Sequence, residues 1–214
     1  KLSEFYEELK RLNVEVIRPD INECFADFRT IDDKFYYALG GIKAVGYEAI
    51  SNVVAERVKN GKFTSINDFL KRVNPKDMNK LQLEGLVKSG AFDKINKNRQ
   101  SLFNSIPNFI LKTKNIFDNK NANQIDLFSE DETTQNNIIN DIEDWNFEER
   151  LSKEFESVGF FISDHPLNQF TSIFDDYKIL NYSNFNTNDE IKDTNIAATL
   201  LKVQERKTAK GNSY

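Results

Sequence analysis

Gly41-Ile42-Lys43-Ala44-Val45-Gly46, running straight into Tyr47-Glu48-Ala49-Ile50, is the stretch whose reading decides the fold. Small residues with apolar ones set between them make a tight hairpin. The spacing of Ile50, Val53, Val54 and Val58 then predicts a helix over 47–59 that stops at Asn60-Gly61. A hairpin that leads into a helix start presents backbone N–H groups at the positive end of that helix, a geometry that binds phosphate. Lys43, Arg57, Lys59 and Lys62 add positive charge around it. The same residues also fit a tight turn ahead of an ordinary helix.

Outward from this hairpin the sequence reads as short helices with clear stops. Leu2, Phe5, Tyr6, Leu9 and Leu12 fall at helical spacing, and 13–17 alternates as a short strand that Arg18-Pro19 ends. Residues 35–39 suit another short strand. Ser65 is placed to cap a helix carrying Ile66, Phe69, Leu70 and Val73, with Pro75 after it. Asn79 is placed to cap the next, with Leu83, Leu86 and Val87 inward and Gly90 as its C-terminal glycine. Asn98 opens a further helix through Leu102, Phe103 and Ile106, which Pro107 should kink or split. Lys88-Ser89-Gly90-Ala91-Phe92 is thus a second glycine turn after a short helix. Two such turns in one basic, helical region favour DNA binding, and they resemble paired helix-hairpin-helix elements. The first departs from that motif in having Ala44 where a glycine is usual.

Charge is strongly segregated. The net charge is -5, but residues 34–116 hold 15 Lys/Arg against 6 Asp/Glu, and residues 117–193 hold 5 against 18. The first block attracts polyanions and the second avoids them. One cysteine, Cys24, cannot form an internal disulfide, which suits a reducing cytoplasm. With a single histidine, His165, beside it, a zinc site of the usual Cys/His type is excluded. Cys24 reads as a small buried hydrophobe. No run approaches the ~20 apolar residues of a membrane helix, and no apolar N-terminal run suggests a signal peptide. Beginning at Lys1, with its one methionine at Met78, the sequence is expected to be excised from a longer chain.

Residues 118–142 are rich in Asn, Asp, Glu, Thr and Gln and read as a solvated linker. One island interrupts it, Gln124-Ile125-Asp126-Leu127-Phe128. Its Leu and Phe would plug a hydrophobic cleft on a partner while the Gln124 amide bonds at the rim, or else pack on the chain's own domain. Beyond it, Trp145, Leu151, Phe155 and Val158 mark a helix, and Pro166 starts a short one with Leu167, Phe170 and Phe174. Residues 195–204 read as a strand, and Lys210-Gly211-Asn212 as a turn.

Taken in order, several stretches resemble the alpha subunits of bacterial DNA polymerase III, the C-family replicative polymerases. They are Val16-Ile17-Arg18-Pro19-Asp20-Ile21-Asn22, Tyr37-Ala38-Leu39-Gly40-Gly41-Ile42-Lys43-Ala44-Val45-Gly46, and Phe63-Thr64-Ser65-Ile66-Asn67-Asp68-Phe69. The stretch from Leu83 to Asp93 continues in family order, and the 124–128 island resembles the clamp-binding peptide. The most specific is Glu156-Ser157-Val158-Gly159-Phe160-Phe161-Ile162-Ser163-Asp164-His165-Pro166-Leu167. The resemblance implies a mainly α chain that opens with the end of a fingers domain over 1–33. A tandem helix-hairpin-helix DNA-binding module would follow over 34–116, then an acidic linker with the clamp-binding peptide over 117–143. A helical connector would occupy 144–193, and the truncated start of an oligonucleotide-binding β-barrel 194–214.

The function so implied is that of a non-catalytic cytoplasmic fragment of a DNA-directed DNA polymerase. It would bind duplex DNA through Lys43, Ala44, Val45, Gly46, Lys88, Ser89 and Gly90. It would dock on the sliding clamp through Gln124, Ile125, Asp126, Leu127 and Phe128, and work beside other replicative holoenzyme subunits. In this family two Mg²⁺ ions sit on paired aspartates upstream of such a fragment, so no catalytic residue, metal or cofactor is expected within it. Asp32-Asp33 and Asp175-Asp176 read as surface or turn carboxylates, and His165 as a structural corner. The alternatives are a stand-alone helix-hairpin-helix DNA-repair module and a pure protein-interaction scaffold.

Overall fold

A computed structural model describes residues 2–121, 139–188, 191–200, 203 and 206. The chain divides into two compact units, Lys1–Ser163 and Asp164–Tyr214.

In the first unit, α1 (Leu2–Arg11) leads into β1 (Glu15–Ile17). β2 (Arg29–Ile31) and β3 (Lys34–Tyr36) follow as a hairpin, and the sheet order is β1-β3-β2, with β1 parallel and β2 antiparallel to β3. Asp32 and Asp33 both adopt positive φ, 49° and 59°, and form the two-residue loop of that hairpin. This is the turn conformation whose twist matches the flanking strands. The second strand expected on sequence thus lies at 34–36, not 35–39, and β2 had no apolar alternation to announce it: all three of its residues are exposed.

A 3₁₀ turn (Leu39–Gly41) opens the helical part, followed by α2 (Tyr47–Asn60), α3 (Ile66–Arg72), α4 (Lys80–Lys88), α5 (Arg99–Asn121) and α6 (Phe147–Val158). Ser65 caps α3 by accepting from the Asp68 N–H. Asn79 and Gln82 form a reciprocal capping box on α4. α5 runs unbroken through Pro107, where a kink or split is expected. Leu102, Ile106 and Phe109 hold one face of α5 in the core, and Pro107 lies on the exposed face, where water reaches the carbonyl it cannot serve. α5 packs on α3 and α4, and α6 packs on α4.

The core joins Leu39, Ile42, Val45, Ile50, Val53, Phe69, Leu86 and Leu102 with Ile21 and Cys24 from the loop after β1. Burial pushes the Cys24 thiol up to about 12, in keeping with a small buried hydrophobe. That loop is tied down by polar groups. Asn22 exchanges two hydrogen bonds with the Phe63 backbone, each 2.8 Å, and the Ile21 N–H donates to the Ala91 carbonyl at 2.8 Å.

On α2, Ile50 and Val53 are buried and Val54 packs against the core, as the spacing predicts, and the departure is at the last position of that face. Val58 is 73% exposed, whereas Arg57 is buried and donates to the carbonyls of Ile21 (2.6 Å) and Cys24 (2.7 Å). Burial lowers the Arg57 pKa from its usual value, yet an arginine stays charged.

In the second unit, a 3₁₀ turn (Pro166–Phe170) is capped by His165, whose Nδ1 accepts from the Leu167 N–H. α7 (Thr171–Asp176) and α8 (Tyr182–Thr187) follow. Of the strand expected over 195–204, the described residues show one isolated parallel bridge, Ile179 to Asn195. None of this unit's described residues is buried.

Two features can be tested by urea denaturation. Glu154 is fully buried, and one of its oxygens accepts from the Ile162 and Ser163 N–H groups while the other faces Arg99 at 3.6 Å. Glu154→Ala leaves a buried guanidinium and two amides short of a partner and should cost about 3–5 kcal/mol. Ala44 sits at φ 64°, a left-handed conformation that disfavours any side chain. Ala44→Gly should raise the midpoint at unchanged slope, a net gain of roughly 0.5–1 kcal/mol.

Candidate nucleic-acid interface

The hairpin before α2 is anchored by two apolar residues and exposed at its tip. Ile42 and Val45 are in the core, and Lys43, Ala44 and Gly46 face solvent. The Lys43 backbone is consumed by packing. Its N–H donates to the Ser157 carbonyl of α6 at 2.9 Å, and its carbonyl lies so close to α4 that a Cβ on Gly85 would stand 2.7 Å from it. Only a glycine at position 85 allows that approach. The Lys43 side chain is left outside and meets no carboxylate among the described residues.

Gly46 is the N-cap of α2 and brings no side-chain cap. The first intrahelical bond runs from the Ile50 N–H to the Gly46 carbonyl at 3.1 Å, and the Tyr47, Glu48 and Ala49 N–H groups make no hydrogen bond among the described residues. Such orphan donors at the positive end of a helix suit an anion. The side-chain amide of Gln82, on α4, lies beside Gly46: a Cβ there would be 3.8 Å from its Nε2.

The second glycine turn is enclosed. Gly90, at φ 81°, donates to the Val87 carbonyl at 3.1 Å, and the Ala91 N–H donates to Leu86 at 3.0 Å, closing the C-terminus of α4. Ser89 is buried, with its hydroxyl on the Leu86 carbonyl at 3.0 Å. The Lys88 ammonium pairs with Glu156 at 3.0 Å. A Cβ at Gly90 would collide with the Arg99 guanidinium. The pair of phosphate-facing turns expected on sequence is therefore one outward hairpin and one inward helix cap.

The basic block is likewise smaller at the surface than in the count. Arg57 bonds carbonyls, Arg72 pairs with Glu56 and Asp68 at 3.0 Å each, and Arg99 pairs with Asp93 at 2.7 Å. Lys94 meets Asp20 at 3.1 Å and Glu23 at 2.7 Å, and Lys62 approaches Glu23 at 3.9 Å. Lys43, Lys59, Lys76, Lys97 and Lys114 remain exposed and, among the described residues, without a carboxylate. Gln124-Ile125-Asp126-Leu127-Phe128 lies outside the described residues. Sequence reasoning passed over Gln82 at this site. The one trace of it was the Asn79-x-x-Gln82 spacing, which signals a helix cap and nothing more.

Residues 13–102 match a family model described as a helix-hairpin-helix motif. DNA polymerase III subunit alpha of Borreliella burgdorferi is 37% identical over 185 residues, covering 85% of this chain and 16% of that protein. The subunit of Caulobacter vibrioides is 35% identical, over 78% of this chain and 15% of its own length. That of Campylobacter jejuni is 32% identical, over 89% of this chain and 17% of its own length. The chain thus spans only 15–17% of these relatives, and no described helix is long and apolar enough to cross a membrane. A mainly helical fold with an outward hairpin, a helix-hairpin-helix match and identity of 32–37% over most of the chain agree: it belongs to the family of DNA polymerase III alpha subunits, as a relative of one part of those proteins.

Proposed function

We propose that this chain is a DNA-handling segment of a replicative polymerase, holding duplex DNA through the hairpin that opens α2 and docking on the sliding clamp through residues 124–128. The observation that supports it most directly is the outward hairpin. Lys43 is exposed and the first-turn amides of α2 make no hydrogen bond among the described residues, in a chain homologous to polymerase subunits. Contacts of this kind are to phosphate, so binding is independent of sequence and weakens as salt rises. The phosphate-facing residues are Lys43, Ala44 and Gly46, with Val45 anchoring the hairpin in the core between them. The turn at Lys88, Ser89 and Gly90 supports the interface from inside, by holding α4 and α5 in place. In this reading the segment works in the cytoplasm with other holoenzyme subunits, and nucleotidyl transfer with its Mg²⁺ belongs to other parts of the parent polymerase. Lys43→Glu should weaken binding to all duplex sequences alike and lower the slope of log K against log salt by about 1. Fluorescence anisotropy on two unrelated duplexes checks both, and an unchanged affinity would remove the hairpin from the interface.

The clamp-docking reading rests on the island Gln124-Ile125-Asp126-Leu127-Phe128 in a polar, acidic stretch. Ordering a peptide costs roughly 1–2 kcal/mol per residue, and burying a Leu or Phe side chain returns roughly 1.5–3 kcal/mol. Over five residues the ordering cost takes up most or all of what burying Leu127 and Phe128 returns, so the peptide binds weakly alone. It gains from linkage, because a segment already on DNA holds the peptide at high effective concentration near the clamp. Leu127→Ala combined with Phe128→Ala should abolish clamp binding in a surface-plasmon assay and leave duplex affinity intact. Loss of DNA binding with clamp binding retained would reverse the assignment.

A further inference from the structure

We infer that Gln82 is a phosphate ligand of the α2 hairpin, its side-chain NH₂ joining the first-turn amides of α2 in one site for a backbone phosphate of duplex DNA. The inference rests on the duplex-binding reading and adds to it a donor from a separate helix. Gln82 is the third residue of α4 and is 7% exposed. Its Oε1 accepts from the Asn79 N–H at 2.7 Å, and its own N–H donates to the Asn79 Oδ1 at 3.0 Å. A backbone N–H can only donate, so the oxygen must face Asn79 and the NH₂ must face away from it. The capping box therefore fixes the orientation of the amide.

That NH₂ makes no hydrogen bond among the described residues and stands against Gly46, the N-cap of α2. Gly85 explains why it arrives there. One turn further along α4, it admits the Lys43 carbonyl and the Val45 side chain to within 2.7 and 3.1 Å of where its Cβ would be. Residues three apart share a helix face, so the contact at Gly85 carries Gln82 onto the hairpin. The amides of Tyr47, Glu48 and Ala49 and the NH₂ of Gln82 are then neutral donors held in place before any ligand arrives. Lys43 supplies the charge, and Glu48, exposed in the same turn, opposes it. Neutral donors set by the backbone and a capping box recognise a phosphate whatever base it carries.

Gln82→Glu tests this in the whole chain. Glutamate has the shape of glutamine and keeps the acceptor that the capping box needs, but it turns the NH₂ into an anionic oxygen. Leu81→Glu adds the same charge one residue away, at a side chain 60% exposed. Q82E should raise the Kd for a nonspecific duplex roughly tenfold or more, as loss of a hydrogen bond to a charged group does. L81E should stay within about threefold, the effect of one more screened surface charge. Q82E binding like L81E at an unchanged urea midpoint overturns the inference. Should Q82E lower the midpoint, Gln82→Met, which drops the NH₂ without adding charge, should still lose affinity, and parent-like binding by Q82M overturns it. The two readings fail differently. If the unsubstituted chain does not bind duplex, or K43E is neutral, the duplex reading falls and this one with it; if K43E weakens binding and Q82E does not, only Gln82 is excluded.

Discussion

Arg99 stands at the start of α5 with its side chain only 5% exposed, and the helical body is arranged around its charge. Its guanidinium makes a two-pronged contact with Asp93 at 2.7 and 2.8 Å, donates to the Lys88 carbonyl at 3.1 Å and faces Glu154 at 3.6 Å. Burial alone would lower its pKa, but the Asp93 hydrogen bonds and the Asp93 and Glu154 charges more than offset that and raise it. A buried charge is tolerable only when its partners are in place together. The partners here are the end of α4, the turn after it and α6, so these elements must assemble jointly. Arg150 extends the network from α6 to Asp93 and Asp144, and Asp144 in turn accepts from the Gln100 N–H at the start of α5.

This network decides which of the two glycine turns faces solvent. The space that an exposed hairpin would leave open at Gly90 is filled by Arg99, and the adjacent lysine is taken by Glu156. The first hairpin has no such cover at its tip. The Ser157 carbonyl of α6 accepts from the Lys43 N–H, which steadies the backbone and leaves the side chain outside. α4 thus serves both turns, closing one with its C-terminus and bracing the other with Gly85.

The charge segregation along the chain is partly cancelled in space. Glu154 and Glu156 come from the acidic half and meet Arg99 and Lys88 from the basic half, while Arg150 crosses in the other direction to Asp93. A count by segment treats the halves as separate modules, but α6 belongs to the same compact unit as the hairpin. What survives at the surface is a set of lysines without a carboxylate among the described residues.

The sequence by itself determined what depends on neighbours within a turn or two. The helices around α2 to α4, the Ser65 and Asn79 caps and the left-handed Gly90 all follow from local spacing and backbone preference. The family resemblance was legible for a similar reason, since it rests on ordered short stretches. Only the tertiary structure decided which charges are spent. Arg57 and Val58 are adjacent on a helix, and nothing local says that the arginine turns inward. It does so because two carbonyls 36 and 33 residues away in sequence receive its guanidinium. Lys88 looked free until Glu156, 68 residues away, closed on it. Gln82 drew no reading from the sequence, and it is the close approach at Gly85 that brings it against Gly46. The burial of a charged or polar group is set by partners that chain folding delivers from afar, and no spacing along the sequence records their arrival.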